Sequence, residues 1–203
     1  MEARDTYKTI AAASDEILYK EKNSKFFGYA FPIQSESEVK SLIDPLRKKH
    51  FNAVHFCYAF QVGTDKINFR ANDDGEPANS AGAPIYGQIQ SHELTNILIV
   101  IVRFFGGTKL GVGGLISAYR TAAQMALEAS EIVEKTIDIH YQISFEYKDM
   151  NKVMRIIKEK NLNILSQQMD EKCSIEISVR KKNAMQTFEI FEQTFGVEIK
   201  KLA

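Results

Sequence analysis

The 203-residue chain has no net charge, because 26 lysines and arginines balance 26 aspartates and glutamates. That balance excludes a global electrostatic pull toward nucleic acid or membrane, so any nucleic-acid contact has to be a local patch. Cysteine is scarce: Cys57 and Cys173 lie far apart with no pairing pattern. This excludes a disulfide-stapled secreted fold and suits a reducing compartment, the cytoplasm being the simplest. Long apolar runs are missing as well. Nothing approaches membrane-spanning length, and the amino-terminal MEARDTYKTI is charged and has no apolar centre, so neither a membrane anchor nor a signal peptide is expected. What the chain does have is 44% hydrophobic residues, ample for one large or two small cores.

The stretch from Asn96 to Met125, NILIVIVRFFGGTKLGVGGLISAYRTAAQM, organises the rest. Ile97 to Val102 is short, apolar and mostly β-branched, which predicts a strand buried on both faces. A glycine loop follows, with Gly106, Gly107, Gly111 and the pair Gly113-Gly114 framing Thr108 and Lys109. Leu115, Ala118, Tyr119, Ala122, Ala123 and Ala126 then recur at helical spacing, predicting a helix to about Ser130. Strand, glycine loop and helix in that order make a place for an anion. Glycines permit close approach to the backbone, and the first helical turn presents unpaired N–H groups. Arg103 before the loop, Lys109 within it and Arg120 in the helix add cations of the kind phosphates prefer. The plainer reading is that the glycines only allow tight packing.

Two nucleotide loops fail against these residues. Gly106 and Gly111 have Walker A spacing, but Val112 and Gly113 stand where Lys and Ser or Thr belong. Gly111 and Gly113 fit the start of a dinucleotide fingerprint, but Ile116 occupies the third glycine position. No cofactor is therefore expected.

Upstream, a polar turn from Lys20 to Ser24 followed by KFFGYAFPI, ended by Pro32, predicts an opening hairpin. A helix from about Glu36 to His50 follows from Val39, Leu42, Ile43 and Leu46, with Pro45 its weak point. On the next strand, AVHFCYAF, alternation sends Val54, Phe56, Tyr58 and Phe60 one way and His55, Cys57 and Ala59 the other. His55 and Cys57 share a face, but a metal or nucleophile site needs further groups, and a structural role is the expectation.

A short strand around Ile67 to Phe69 leads into RANDDGEPANSAGAPIYGQI, from Arg70 to Ile89, which is too rich in Gly, Pro, Ala and Asn for an ordinary helix or strand. It reads as one long ordered loop. Asp73, Asp74 and Glu76 invite a metal, but Arg70 and Ala81 occupy the first and twelfth positions of the calcium-loop template, which excludes an EF-hand. An isolated divalent site or a general acid and base is the alternative use of these carboxylates, and no metal is the expectation. Pairing of a carboxylate with Arg70 or Arg103 is the expected use, which would bring this loop against the glycine loop as one concave face.

The apolar periodicity stops at Glu131 to Thr136, read as a charged connection between domains of residues 1–134 and 135–203. Beyond it come a strand from Ile137 to Tyr147, a helix from Asp149 to Lys160 and strands from Asn163 to Met169 and Cys173 to Arg180. A helix from Lys182 to Phe195 and a strand from Val197 to Lys200 complete the order β-α-β-β-α-β, which is ferredoxin-like. Met154, Ile157, Phe188 and Phe191 read as core on its helix faces.

Three segments carry a family resemblance: SKFFGYAFPI at Ser24 to Ile33, DGEP with SAGAPI between Asp74 and Ile85, and VRFFGGTKLGVGGLISAYRTA at Val102 to Ala122. Through them the chain resembles the YigZ/IMPACT family over most of residues 18–130. The resemblance implies an α+β protein of two domains. The first is an IMPACT amino-terminal domain similar to domain IV of elongation factor G and to a ribosomal-protein βαβ superfold. The second is ferredoxin-like and similar to domain V of that factor. Two departures are visible: Ala78-Asn79-Ser80 stands where a small residue, Gly and Thr are common, and Phe104 where Tyr is usual. Eukaryotic relatives restrain the kinase of the amino-acid starvation response and carry an extra partner-binding domain not expected here.

The leading functional expectation is a non-catalytic RNA- or ribosome-associated protein linked to regulation of translation. Its face would be built from Arg70, Arg103, Gly106, Gly107, Thr108, Lys109, Gly111, Gly113, Gly114 and Arg120. One alternative is an enzyme binding a phosphorylated small molecule or nucleotide at the glycine loop. Another is a protein-interaction module acting on a translation factor. No catalytic residue is assigned.

Overall fold

The computed structural model describes residues 5–170 and 172–202. By its contacts the chain divides into two compact units, Tyr7–Lys135 and a second running from Thr136 together with the start of the chain up to Thr6.

In the first unit the elements are β1 (Thr6–Ile10), β2 (Ile17–Glu21), β3 (Ser24–Pro32), α1 (Glu38–Lys49), β4 (His55–Val62) and β5 (Asn68–Asn72). They continue with α2 (Gly82–Ser91), β6 (Ile97–Phe104), α3 (Gly111–Glu128) and β7 (Ile132–Thr136). The five-stranded sheet has the order β2-β3-β6-β4-β5. The apolar run of β6 is central, antiparallel to β3 on one side and to β4 on the other. Ile97, Ile99 and Ile101 pack with Cys57 and Ala59 of β4 against α2 and α3, whereas Leu98, Val100 and Val102 pack with Phe56 and Phe60 against α1. Burial on both faces is what lets this run dispense with polar alternation.

The hairpin of β2 and β3 closes through Lys22 and Asn23, both with positive φ, as a two-residue turn matched to strand twist requires. Helix α1 runs through Pro45, which is exposed, so the carbonyl it leaves without a donor can be met by water.

Two expectations are corrected. The segment read as one loop from Arg70 to Ile89 contains the end of β5 and most of α2. Pro84 stands in the first turn of α2, where no N–H is required, and Asp73 caps that turn from outside, its Oδ1 accepting from Ala81 N at 2.9 Å and Gly82 N at 2.8 Å. A Cβ at Gly82 would sit 2.5 Å from Asn72 N, so the glycine that disguised the helix is there for a close approach. Likewise Ile132 to Thr136 is a strand, β7, paired with β1 in a two-stranded sheet. Four of the five residues of β7 are exposed, so no apolar alternation marks it.

The second unit contains β8 (Asp138–Glu146), a single 3-10 turn at Tyr147–Asp149, α4 (Met150–Glu159), β9 (Asn163–Met169), β10 (Lys172–Arg180), α5 (Lys181–Glu192) and β11 (Val197–Lys201). Its four-stranded sheet is antiparallel with the order β11-β8-β10-β9. Ile143, Phe145, Ile175 and Ile177 meet Val153 and Ile157 of α4 and Phe191 of α5. Met154, expected in this core, is exposed, because the buried stripe of α4 runs through Val153 and Ile157 and turns Met154 away.

Candidate anion-binding site

The carboxyl end of β6 and the glycine loop are fastened from beneath. Register puts Phe26 of β3, Arg103 of β6 and His55 of β4 side by side across the sheet, on the face covered by α3. Arg103 Nη1 donates to Glu76 Oε1 at 2.6 Å, with side chains only 5% and 4% exposed. The Tyr119 hydroxyl, from α3, donates to the same oxygen at 2.7 Å. Its ring meets Phe26 edge-on, 5.2 Å between centroids. His55 Nδ1 donates to the Asp74 carbonyl at 2.8 Å and its Nε2 lies 3.9 Å from Glu76. Cys57 Sγ lies 3.0 Å from the Asp73 carbonyl and 3.3 Å from the Tyr119 hydroxyl.

Burial pushes the Cys57 thiol well above its ordinary range, against a lowering hydrogen bond with Tyr119. Burial, then the neighbouring Cys57 and Glu76, likewise raises the Tyr119 phenol. Both groups stay protonated at neutral pH, so Cys57 has no thiolate to offer as a nucleophile. Arg103 Nε is the buried side-chain polar atom left without a partner among the described residues. No group of three or more His, Cys, Asp and Glu residues is placed to hold a metal among them.

Each of the three acidic residues makes contacts that hold the loop carrying it. Asp73 caps α2 and also accepts from Asn79 N at 2.8 Å. Asp74 accepts from Phe56 N at 2.7 Å and pairs with Arg47 at 3.2 Å. Glu76 holds Arg103. The loop bearing them is thus joined to the strand that launches the glycine loop.

Above this base the glycine loop is open. The first turn of α3 has no acidic residue and Leu110 provides no side-chain cap. Atoms added as Cβ at Gly107, Gly111 or Gly113 would meet nothing within 4 Å, while at Gly114 the Leu110 side chain lies 3.1 Å away. Gly107 and Gly111 have φ of +84° and +72°, which L side chains rarely adopt. Gly106 differs, because a Cβ there would fall 2.1 Å from the Asn23 carbonyl carbon. Its N–H donates to Ser24 Oγ at 3.2 Å, which also accepts from Arg103 Nη2 at 3.4 Å. The loop is thereby seated on the hairpin turn of β2 and β3.

Thr108, Lys109 and Arg120 are exposed. Neither Lys109 nor Arg120 forms an ion pair among the described residues. One cationic residue joins them that the sequence reading missed, Lys22 in the adjoining turn; Lys25, exposed as well, pairs in register with Phe104 and so lies on the α1 face. Phe105 presents a ring that is 49% exposed. Lys22 stands far from the glycine loop in the chain and no local spacing connects them.

Arg70 and Arg103 do not join that surface. Arg70 pairs in register with Phe60, and Phe60 with Leu98. Arg103 is about five positions further along β6, roughly 17 Å at strand spacing. Arg70 is paired to Glu36 at 2.8 Å on the α1 side, where it borders a groove of about 260 Å³ between α1 and β4. Arg103 is buried and its charge is spent on Glu76. Phe104 turns to the α1 face too, against Phe27 and His50 with centroids 5.6 and 5.7 Å away. The phenol usual at that position would therefore point away from the first turn of α3.

Among known proteins, the model of the Impact N-terminal domain matches residues 22–127, which span the hairpin turn, the acidic loop, the glycine loop and α3. The chain belongs to the IMPACT family. It is 30% identical over 177 residues to IMPACT family member YvyE of Bacillus subtilis (strain 168), covering 87% of this chain and 81% of that one. It is also 30% identical over 150 residues to IMPACT family member YigZ of Escherichia coli (strain K12), covering 73% and 74%. A crystal structure of a hypothetical protein matches over 99% of this chain and 98% of its own with a TM-score of 0.73 at 23% identity, a likeness of fold. No helix among the described residues is long and apolar enough to cross a membrane.

Proposed function

We propose that this IMPACT family member is a non-catalytic, cytoplasmic protein that associates with RNA or the ribosome and takes part in regulating translation. The observation that carries this reading is the uncapped, glycine-lined first turn of α3, with the exposed cation Lys109 beside it and the exposed Arg120 further along the same helix, neither in an ion pair among the described residues. A phosphate placed there would meet backbone N–H groups at the positive end of an 18-residue helix. Lys22 extends the positive surface to the hairpin turn, and Phe105 offers a face for an unstacked base.

The rest of the architecture supports the same reading. The order β-α-β-β-α-β of the second unit, with sheet order β11-β8-β10-β9, suits a ferredoxin-like domain similar to domain V of elongation factor G. The first unit then corresponds to the IMPACT amino-terminal domain similar to domain IV of that factor. We place the join at Lys135 and Thr136. With zero net charge, affinity rests on the local patch, so binding to RNA should be modest and strongly salt-dependent.

The test is recovery of the full chain with ribosomal particles from lysate, with and without ribonuclease. Co-sedimentation that ribonuclease abolishes supports RNA as the ligand. Co-sedimentation that survives ribonuclease and depends on one protein factor favours a protein-interaction module instead. Turnover of a phosphorylated small molecule by the purified chain would replace both with an enzyme.

A further inference from the structure

The sheets have as their edge strands β1, β2, β5, β7, β9 and β11. Every one of these except β9 contains a Lys, Arg, Asp or Glu. The sequence of β9 is NILSQQM, without charge or proline. Charge and proline on edge strands are among the means by which sheets avoid pairing with other chains, and among the described residues β9 is the edge strand that has neither. It bonds β10 along one side from Asn163 to Met169. Among the described residues, none of the backbone groups on its outer side has a hydrogen-bond partner. Leu165 and Met169 are 46% and 41% exposed along it.

We propose that β9 is a self-association edge, through which two copies of this chain pair antiparallel with Gln167 on the two-fold axis. The sequence is complementary to itself in this register. Leu165 falls opposite Met169 of the second copy, Ser166 opposite Gln168, and the two Gln167 amides face each other, each able to donate and accept. No like charges oppose one another, and a chain of zero net charge lets a second copy approach without long-range repulsion. Leu165 is the extra residue of a β-bulge against β10, which interrupts the strand at that end of the ladder. It confines the shared ladder to Leu165–Met169 and so discourages a slipped pairing. A ladder this short lies at the small end of interface sizes, which makes the dimer weak and dependent on concentration.

Sedimentation of the full chain from micromolar to millimolar concentration tests this, with a reversible monomer–dimer equilibrium expected. Gln167→Lys sets two ammonium groups against each other on the axis. It should leave the protein monomeric throughout, with an unchanged unfolding midpoint because the position is exposed. Gln167→Cys places two thiols on the axis with Cα atoms about 4.5–5.5 Å apart, inside disulfide range. It should form a covalent dimer on mild oxidation at least tenfold faster than Gln168→Cys. The native Cys57 and Cys173 are buried and do not compete. A wild-type chain that stays monomeric at millimolar concentration overturns the proposal. So does a dimer untouched by Gln167→Lys, or equal crosslinking rates for the two cysteine variants.

Discussion

Glu76 and Arg103 are joined by a buried ion pair of 2.6 Å between the acidic loop and the central strand β6. Two charges withdrawn from water are tolerated only while both are present and hydrogen-bonded. Glu76→Ala leaves the Arg103 guanidinium buried without a counter-ion and should cost about 3–5 kcal/mol in urea unfolding. Tyr119→Phe removes one donor to the same carboxylate and should cost about 1–3 kcal/mol. If Glu76→Ala lowered stability by less than the phenylalanine variant, the pair would not be what holds the two loops together.

Glycines of the loop should separate into two kinds. Gly106→Ala drives a Cβ into the hairpin backbone at 2.1 Å and should destabilise by about 1–3 kcal/mol or more. Gly113→Ala meets no atom within 4 Å and should gain up to about 1 kcal/mol through helix propensity. A methyl group there nonetheless narrows the space above the N–H groups of α3, so RNA binding should weaken while thermal stability rises. Gly113→Ala with unchanged binding would place the ligand elsewhere.

A second, partly buried network should give the fold an acid-sensitive range. The Tyr29 hydroxyl donates to Glu16 and lies 2.5 Å from His50 Nε2, and Lys49 reaches Glu16 at 2.7 Å. Burial lowers the His50 pKa below its ordinary 6.5, and Lys49 lowers it further, while Glu16 works the other way. The unfolded chain takes up this proton near pH 6.5 and the folded chain only at lower pH. Stability contributed by neutral His50 is therefore full above that value and is lost as pH falls through the window beneath it. Urea midpoints from pH 7.5 to 5 should decline for the wild type and decline less for His50→Gln. Equal slopes would remove His50 from the account.

Much of this was legible in the residues, for identifiable reasons. The run Ile97 to Val102 and the alanine stripe of α3 read correctly because burial on two faces and on one face leave different periodicities. Alternation on β4 put His55 and Cys57 on one face, which the structure turns toward α3. What stayed hidden was carried by contacts distant in sequence. Helix α2 takes its cap from Asp73 and its opening glycine from a clash with Asn72, neither of which is a periodic signal. Arg70 and Arg103 are alike as residues, and only strand register separates a surface arginine paired to Glu36 from a buried one. Lys22 is brought beside the glycine loop only because Gly106 lies on Asn23.

The strand identity of Ile132–Thr136 changes where the chain can be cut. A chain ending at residue 136 retains the pairing of β1 with β7, whereas one ending at residue 130 exposes β1. The longer fragment should unfold in one cooperative transition, and the shorter should lose stability or aggregate. Equal midpoints for both would show that β7 adds nothing to the first unit.

The most direct measurement is the salt dependence of RNA binding by the intact chain, compared among wild type, Lys109→Ala, Arg120→Ala and the double variant. Each exposed cation that neutralises a phosphate releases counter-ions, so each single substitution should flatten the slope of log affinity against log salt by about one unit, and the double variant by about two. Weakening should be alike for RNA oligomers of different sequence, and thermal stability should not change, since both side chains are exposed. Binding whose slope is the same in all four proteins, or no salt-dependent association with RNA or ribosomes at all, would contradict the assignment of this face.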